Sequence, residues 1–191
     1  MTGVLVVISG PYGVGKTVLC TRLLEEFAES MVFSISATSR APRGSEQEGQ
    51  EYFFYTRQRF EEAIAQDCFA EWALVHDNYY GTPKSFVDSH LNHGRHLLLN
   101  IDVQGAQKIK ACYPRAVLVF IAPPSLSALE ERLRKRNSDS EEALQRRLEN
   151  ARLELAHRSV YTHTVVNDDL ERAFLELAEF VRQRITAGGA D

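Results

Sequence analysis

The hydrophobic positions along the chain form short continuous runs, and longer amphipathic stretches lie between them. Continuous apolar runs occupy residues 4–9, 96–102 and 116–122, and a shorter one occupies residues 162–167. Such runs are typical of strands that are buried on both faces of a parallel sheet. The pattern therefore predicts four core strands.

Apolar residues at intervals of three and four follow these runs and predict helices. The first helix is predicted from residue 15 to about residue 29, with Leu19, Leu23, Leu24 and Phe27 on one face. Alternation of strands and helices predicts an α/β fold with a parallel sheet covered on both faces and ligands at the carboxyl ends of its strands. Further helices are predicted at residues 82–92, 103–112, 125–136, 140–158 and 169–186.

Residues 34–83 interrupt this alternation. The segment is polar, aromatic and rich in turn residues, and it predicts short strands around one helix at residues 57–65. We therefore expect a small α+β insert in the α/β core.

Composition excludes some classes of function. A chain of 191 residues with 44% hydrophobic and 25% charged residues is ordinary for one globular domain. The net charge of −4 argues against a general nucleic-acid binder, although local arginines can still hold a small anion.

The apolar runs are too short for a membrane span or a signal peptide, so the sequence predicts a soluble, cytoplasmic protein. Cys20, Cys68 and Cys112 are widely spaced, which predicts reduced, mostly buried thiols.

A phosphate-binding motif follows the first predicted strand. The stretch "ISGPYGVGKTVL" fits G-x-x-x-x-G-K-[ST] through Gly10, Gly15, Lys16 and Thr17. Backbone N–H groups of such a loop surround phosphate oxygens, the lysine contacts the β- and γ-phosphates, and the threonine hydroxyl binds Mg²⁺. Tyr12 occupies a variable position, where the backbone does the binding, so we expect its ring to be tolerated.

The insert carries candidate residues for a second substrate. Arg40 and Arg43 are three residues apart and can converge on one phosphate. Glu71 can accept hydrogen bonds from the N1–H and 2-amino groups of guanine, a donor pair that no other common nucleobase presents. Tyr52 and the stretch "NYYGT" at residues 78–82 lie in the same segment.

The region after Pro124 contains four arginines on two predicted helices, and two interpretations of it stay open. Glutamate and arginine alternate there, as on a pair of solvated amphipathic helices. The arginines are equally typical of a lid that supplies positive charge to a transferring phosphoryl group. They are Arg132, Arg136, Arg146 and Arg147.

Together these residues resemble the guanylate kinase family, the nucleoside monophosphate kinases that phosphorylate GMP with ATP. The resemblance extends from about residue 4 to residue 185. Its most specific stretches are "SGPYGVGK", "SATSRAPRGSEQEGQEYFF", "FAEWALVHDNYYGTP", "IDVQGAQKIK", "FIAPPS" and "VVNDD".

The resemblance implies a three-layer P-loop kinase core with a parallel sheet, a small α+β GMP-binding insert and a helical lid. It implies Mg²⁺ as cofactor and ATP and GMP as substrates, with neither nucleic acid nor a membrane as partner and with the oligomeric state undecided. The core then comprises residues 1–33, 84–124 and 159–191, the insert residues 34–83 and the lid region residues 125–158.

Site residues follow from the same resemblance, position by position. ATP-binding positions are Gly10, Pro11, Tyr12, Gly13, Val14, Gly15, Lys16 and Thr17, with Thr17 as metal ligand, and Asn167 and Asp168 beside adenine. Guanine-recognising positions are Ser36, Glu71 and Thr82, GMP-phosphate positions are Arg40, Arg43, Tyr52 and Tyr80, and Asp102 is an acidic GMP-site residue near the loop and its metal. The implied catalytic set is Lys16, Arg43 and the lid residues Arg132, Arg136 and Arg147.

Four features depart from the family pattern. Tyr12 stands where a small residue, commonly serine, is usual, and Asn100 stands where an acidic residue is usual near the metal. Asn137 replaces a common lid glycine, and "YTHTVVNDD" replaces "YDYVVVNDD". These departures affect the expected efficiency more than the expected identity, because Lys16 and Glu71 are retained.

Two other functions are alternatives to a GMP kinase. Tyr12 and Asn100 leave open a non-catalytic module that binds proteins, although such modules commonly lose the phosphate loop, which is intact here. A related kinase for another phosphorylated acceptor, such as a ribose bisphosphate, would have no use for the base-reading pair Glu71 and Thr82.

The spacing of His90, His93 and His96 also suggests a metal site. That site is disfavoured because Gly94 is expected to end the helix and to separate the rings.

Overall fold

The computed structural model describes residues 2–135 and 140–188, in which strands and helices alternate along most of the chain. The first half contains β1 (Leu5–Ser9), α1 (Lys16–Glu26), β2 (Met31–Phe33), β3 (Ser36–Thr38), β4 (Tyr52–Phe54), α2 (Arg57–Ala65), β5 (Phe69–Val75), β6 (Asn78–Pro83) and α3 (Lys84–Asn92). The second half contains β7 (His96–Asn100), α4 (Val103–Cys112), β8 (Val117–Ala122), α5 (Leu126–Lys135), α6 (Glu141–Ala156), a short 3₁₀ helix (Arg158–Val160), β9 (His163–Val166) and α7 (Leu170–Gly188).

The core is a parallel five-stranded sheet in the order β2-β7-β1-β8-β9. Its central strand β1 has the sequence LVVIS and is buried at every position. The register places Ile8 beside Asn100 of β7 and Ser9 beside Phe120 of β8. The strands therefore end together at one edge of the sheet, and the predicted α/β class is confirmed.

Period-two alternation along β1 divides the core into two apolar layers. Val6 and Ile8 pack with residues of α1 and α7, such as Leu19 and Leu177. Leu5 and Val7 face the opposite side, where residues of α3 and α4 pack. Each helix covers the sheet with one apolar stripe, so the core has three layers.

A second, four-stranded sheet has the order β4-β3-β6-β5, and α2 covers one of its faces. The hydroxyl of Thr56 caps α2 by accepting a hydrogen bond from the backbone N–H of Arg59. From α2 the buried Phe60 stacks on Phe69 and Tyr79, with ring centroids 4.3 and 5.2 Å away. These aromatic contacts form the small core of this sheet.

The predicted start of α3 at residue 82 was wrong. Thr82 and Pro83 belong to β6, where the backbone of Pro83 is extended, and α3 begins at Lys84. Thr82 is held in the strand because it pairs with Glu71 of β5.

Helices α5 and α6 form a separate pair with an apolar contact surface of their own. Leucines of both helices, such as Leu129 and Leu148, are buried between them. Helix α6 begins at the cap residue Ser140, whose hydroxyl accepts from the backbone N–H of Ala143. The predicted residues Arg136 and Asn137 lie outside the described residues.

The structure corrects the prediction for the cysteines. All three are free and Cys20 is buried, but Cys68 and Cys112 are exposed. Cys68 lies in the turn before β5 and Cys112 ends α4, so neither side chain reaches a core. Within residues 2–135 and 140–188, no helix is both long and apolar enough to cross a membrane.

We expect Phe60→Ala to lower the free energy of unfolding by about 3–5 kcal/mol, because it removes a fully buried ring from a small aromatic core. Urea unfolding measures this change. Leu175→Ala is the control, since that side chain is 65% exposed and its loss should change the value by roughly 0.5 kcal/mol or less. Equal effects of the two substitutions would contradict the packing described for the second sheet.

Candidate active site

The phosphate loop lies between the end of β1 and the start of α1 and is tightly fixed by its neighbours. Gly10 has a φ of 143°, and a methyl group added to it would lie 2.2 Å from the carbonyl oxygen of Ile121 in β8. Val14 is fully buried, and its N–H donates to the carbonyl of Pro11. The loop therefore has one available path, and only glycine fits at its first turn.

Lys16 places its ammonium inside this loop. Its Nζ donates to the carbonyl oxygens of Gly10 and Pro11, the latter at 3.0 Å. Burial lowers the pKa of Lys16, while the negative charge of Glu154 acts in the opposite direction. The neighbouring Thr17 is exposed at the first turn of α1. A cation and a hydroxyl thus lie together at a helix N-terminus, the arrangement that binds phosphate and its metal.

Asn167 supports the loop from the end of β9. This buried residue donates from its backbone N–H to Ala122 and from Nδ2 to the carbonyl oxygen of Val14, both at 2.8 Å. Its contact with the loop backbone has no sequence signal, because an asparagine after a strand is common. The adjacent Asp168 is exposed and pairs with Arg172.

Two of the predicted lid arginines approach the loop region. Arg132 donates from Nη2 to the backbone oxygen of Asp168 at 3.3 Å. The guanidinium carbon of Arg147 lies 3.9 Å from the centroid of the Tyr12 ring. Arg147 of α6 therefore contacts the loop itself, and Arg132 of α5 contacts the segment after β9 that supports the loop.

The strand register of the second sheet brings the predicted GMP residues to one face. Directly opposed residues share a face, and Ser36 opposes Tyr52, Thr38 opposes Tyr80, and Glu71 opposes Thr82. Because residues two apart on a strand also share a face, all of these residues lie opposite to the face that α2 covers. The open face of this sheet therefore carries two hydroxyls, two phenols and one carboxylate from the predicted set.

Glu71 lies at the centre of the predicted guanine subsite. Its Oε1 accepts a hydrogen bond of 2.7 Å from the hydroxyl of the buried Thr82. Burial raises the pKa of Glu71, while the hydrogen bond from Thr82 lowers it and the charge of Asp102 raises it.

Asp102 brings a second carboxylate to this place as the N-cap of α4. Its Oδ1 accepts from the backbone N–H of Gly105 at 2.7 Å. A methyl group added to Gly105 would lie 3.4 Å from both Glu71 Oε2 and Asp102 Oδ1. An oxygen of each carboxylate therefore lies beside Gly105, which places two acceptors for N–H groups in the same part of the site.

Arg40 is held in a bidentate ion pair that the sequence did not predict. Its Nη1 and Nη2 donate to Glu46 at 2.7 and 2.8 Å, and its guanidinium lies 5.1 Å from the centroid of the Tyr52 ring. Hydrogen bonds from Arg40 and from the backbone N–H of Arg43 lower the pKa of Glu46 to about 2. The ring of Tyr80 lies 6.0 Å from the ring of Tyr52, centroid to centroid. The hydrogen bond to Glu46 raises the pKa of Arg40, and Tyr80 acts in the same direction to a smaller extent.

Arg40, Tyr52 and Tyr80 therefore form one cluster, as predicted for a phosphate subsite, whereas Arg43 is exposed and joins it only through its backbone. Glu46 was missed because nothing in the sequence distinguishes it from the neighbouring Glu48 and Glu51.

A cavity of about 330 Å³ separates α4 from the lid helix α6. Asp102 lies at one side and the half-buried Glu154 at the other, and burial raises the pKa of Glu154. The volume lies in the range of small-molecule sites. It is lined by Asp102, Val103, Gln104, Gln107, Asn150, Leu153, Glu154 and His157.

The histidines considered for a metal site are separated as expected. His90 belongs to α3, Gly94 follows the helix with a φ of 75°, and His96 begins β7. No group of three potential metal-ligating side chains occurs within the described part of the chain.

This fold and this site define the chain as a P-loop kinase, because a parallel sheet leads through a glycine-rich loop into α1 and a second, smaller sheet contacts α4 of this core. The guanylate kinase family model matches residues 2–184. The chain belongs to the guanylate kinase family.

Guanylate kinases from several bacteria are similar to this chain over most of their length. The guanylate kinase of Anaeromyxobacter dehalogenans is 50% identical over 184 residues, which cover 95% of this chain and 81% of that protein. The guanylate kinase of Fusobacterium nucleatum is 45% identical, with 96% and 98% covered. The crystal structure of guanylate kinase from Anaplasma phagocytophilum aligns with a TM-score of 0.71 at 33% identity, covering 95% of this chain and 86% of that one.

We expect Glu46→Gln to weaken GMP binding by roughly tenfold, because Arg40 loses a charged, bidentate partner that fixes its direction. Calorimetric titration with GMP measures the change. Glu62→Gln is the control, since that exposed carboxylate only accepts from Gln58 on α2. Unchanged GMP affinity in the Glu46 variant would contradict the role of the ion pair.

The same variant tests the pKa of Glu46. A depressed folded-state pKa gives stability that is present above the ordinary value of 4.5 and is lost as the pH falls toward about 2. We therefore expect the stability of the wild type, relative to the Glu46→Gln variant, to decrease between those two pH values. Thermal unfolding at several acidic pH values measures the difference, and parallel profiles would contradict it.

Proposed function

We propose that this chain transfers the γ-phosphoryl group of Mg·ATP to GMP, giving ADP and GDP, with the residues named below. The observation that carries the proposal is the position of Glu71. Its carboxylate lies on the open face of the second sheet, bonded to Thr82 and next to Asp102, which lines the cavity beneath α6. Two adjacent acceptors for N–H groups select guanine among the common bases.

ATP binds with its phosphates in the loop of residues 10–17. Backbone N–H groups and the N-terminus of α1 hold the phosphate oxygens, and Lys16 exchanges its loop carbonyls for the β- and γ-phosphates. Asn167 keeps the loop in shape and Asp168 lies on the adenine side. Arg132, Arg136 and Arg147 of the lid supply further positive charge to the transferring group.

GMP binds on the second sheet. Ser36, Glu71 and Thr82 recognise the base, and Asp102 lies beside them. Arg40 and Arg43, with the phenols of Tyr52 and Tyr80, hold the phosphate. We propose the division into a core (residues 1–33, 84–124 and 159–191), a GMP-binding insert (34–83) and a lid region (125–158) on the same grounds.

The residues present fit a magnesium ion that arrives with ATP. Mg²⁺ usually takes one or two protein oxygens and completes its shell with water and phosphate oxygens. The exposed hydroxyl of Thr17 provides such an oxygen at the loop, so a dedicated cluster of carboxylates is not required. The bound ion would neutralise charge on the β- and γ-phosphates.

The chemistry requires alignment more than acid–base catalysis. A phosphate oxygen of GMP attacks the γ-phosphorus, a new O–P bond forms, and the bond to the bridging β–γ oxygen breaks as ADP leaves. No covalent enzyme intermediate is needed. Lys16 and the arginines of both substrate sites reduce the repulsion between two polyanions, and closure of α5–α6 over the cavity excludes water.

The two alternative functions lack support. The phosphate loop keeps its lysine and its helix N-terminus, which a protein-binding module does not need. A ribose bisphosphate offers no N–H pair for Glu71 and Asp102.

We expect GMP, and not AMP, CMP or UMP, to stimulate ADP release from Mg·ATP by the purified protein. A coupled assay with each acceptor, and with none, measures this. Arg184→Ala is a control for surface charge, since that exposed residue on α7 lies over the ring of Phe180 and belongs to none of the predicted substrate positions. Equal stimulation by AMP and GMP would contradict the proposal.

We expect Glu71→Gln to lower kcat/KM for GMP by roughly 100-fold, because the amide offers one acceptor oxygen instead of two charged ones. The same substitution lowers activity but should not lower the stability of the protein at high pH. A raised pKa means that the stability contributed by Glu71 is present below its usual pKa of 4.5 and is lost as the pH rises through the higher folded-state value. The variant should therefore be at least as stable as the wild type at pH 8 in thermal unfolding, and a large loss of stability there would contradict the assignment.

A further inference from the structure

Tyr12 of the phosphate loop and Arg147 of α6 form a stacked pair. The guanidinium carbon lies 3.9 Å from the ring centroid, well within the distance at which a cation is attracted to an aromatic face. Arg147 is half-buried, whereas the Tyr12 ring is 51% exposed. The ring therefore projects from the loop toward the lid helix and does not fold into the core.

The next residue of the loop contacts the other lid helix. A methyl group added to Gly13 would lie 2.6 Å from Cδ2 of Leu133 in α5. Leu133 is itself part of the apolar contact surface between α5 and α6. Tyr12 therefore contacts α6 through a cation–π interaction, and the neighbouring Gly13 contacts α5 through an apolar side chain.

We propose that Tyr12 is a positioning residue that holds Arg147, and with it α6, over the phosphate loop before ATP binds. The proposal rests on the proposed kinase function for its effect on catalysis. The attraction acts between the face of the ring and the positive charge of the guanidinium. It therefore holds the guanidinium near the loop and does not itself use an N–H donor.

This role gives a physical reason for the departure at position 12. A serine side chain is too short and has no π-face, so it cannot stack on a guanidinium. With tyrosine, part of the entropy cost of ordering the long Arg147 side chain is met before the nucleotide arrives. The backbone N–H groups of the loop remain directed at the phosphates.

The expected effect on catalysis is modest and specific. Loss of an exposed cation–π contact corresponds to roughly a two- to fivefold change. Tyr12→Leu should lower kcat/KM for ATP by that factor, whereas Tyr12→Phe, which keeps the aromatic face, should lower it by less. In the Arg147→Ala background, Tyr12→Leu should have no additional effect.

Hydrogen exchange of the nucleotide-free protein tests the contact independently of activity. Peptides from α6 should exchange roughly two- to fivefold faster in Tyr12→Leu and in Arg147→Ala than in the wild type, and Tyr12→Phe should show a smaller increase. Peptides from β7 and α7 serve as internal references. Arg152→Ala is the matched control on α6, since Arg152 pairs only with Glu149 among the contacts described.

Two results would overturn the proposal. One is equal exchange of α6 in Tyr12→Leu and the wild type, and the other is a Tyr12→Phe variant that behaves as Tyr12→Leu does. Because no nucleotide is present, either result is separate from a failure of the kinase assay with GMP.

Discussion

The close approach of Gly10 to the carbonyl of Ile121 is the constraint around which the site is built. It fixes the point at which the chain leaves β1, and so fixes where the N–H groups at the start of α1 point. Asn167 then ties Val14 to the end of β9, and Gly13 packs against α5. Three neighbouring elements thus hold one short loop, which is the rigidity that binding through backbone groups requires.

Charge is the second requirement, because two polyanions must meet on a protein of net charge −4. The structure places three of the predicted cations beside an acid or an aromatic ring. Arg40 pairs with Glu46 and Lys16 lies near Glu154, whereas Arg147 lies over the ring of Tyr12. These partners hold the cations in place before the substrates arrive, while the acids limit the local excess of positive charge.

The sequence predicted the fold well where local pattern determines it. Buried β-branched runs located the core strands, and G-x-x-x-x-G-K-T located the loop. The pattern was misleading at Thr82, because its pairing with Glu71 across the hairpin outweighs local helix periodicity. The expectation of mostly buried thiols was wrong for Cys112, which lies at the exposed end of α4.

The site was predicted residue by residue, but its couplings were not. The shared face of Ser36, Tyr80 and Glu71 depends on strand register, which single-strand patterns do not contain. The contacts of Glu46 and Tyr12 join segments six residues apart and 135 residues apart, respectively, and depend on the folded geometry. Such contacts arise from tertiary packing, so the sequence could predict the residues but not which of them contact one another.

The most direct test of the central claim is a calorimetric comparison of GMP and IMP binding to the nucleotide-free protein. IMP lacks the 2-amino group and keeps the N1–H, so it removes one of the two donors that the acidic subsite is expected to read. We expect GMP to bind at least about tenfold more tightly than IMP, because IMP loses one hydrogen bond to a charged group. Equal affinities would contradict the assignment of Glu71 as the residue that reads guanine.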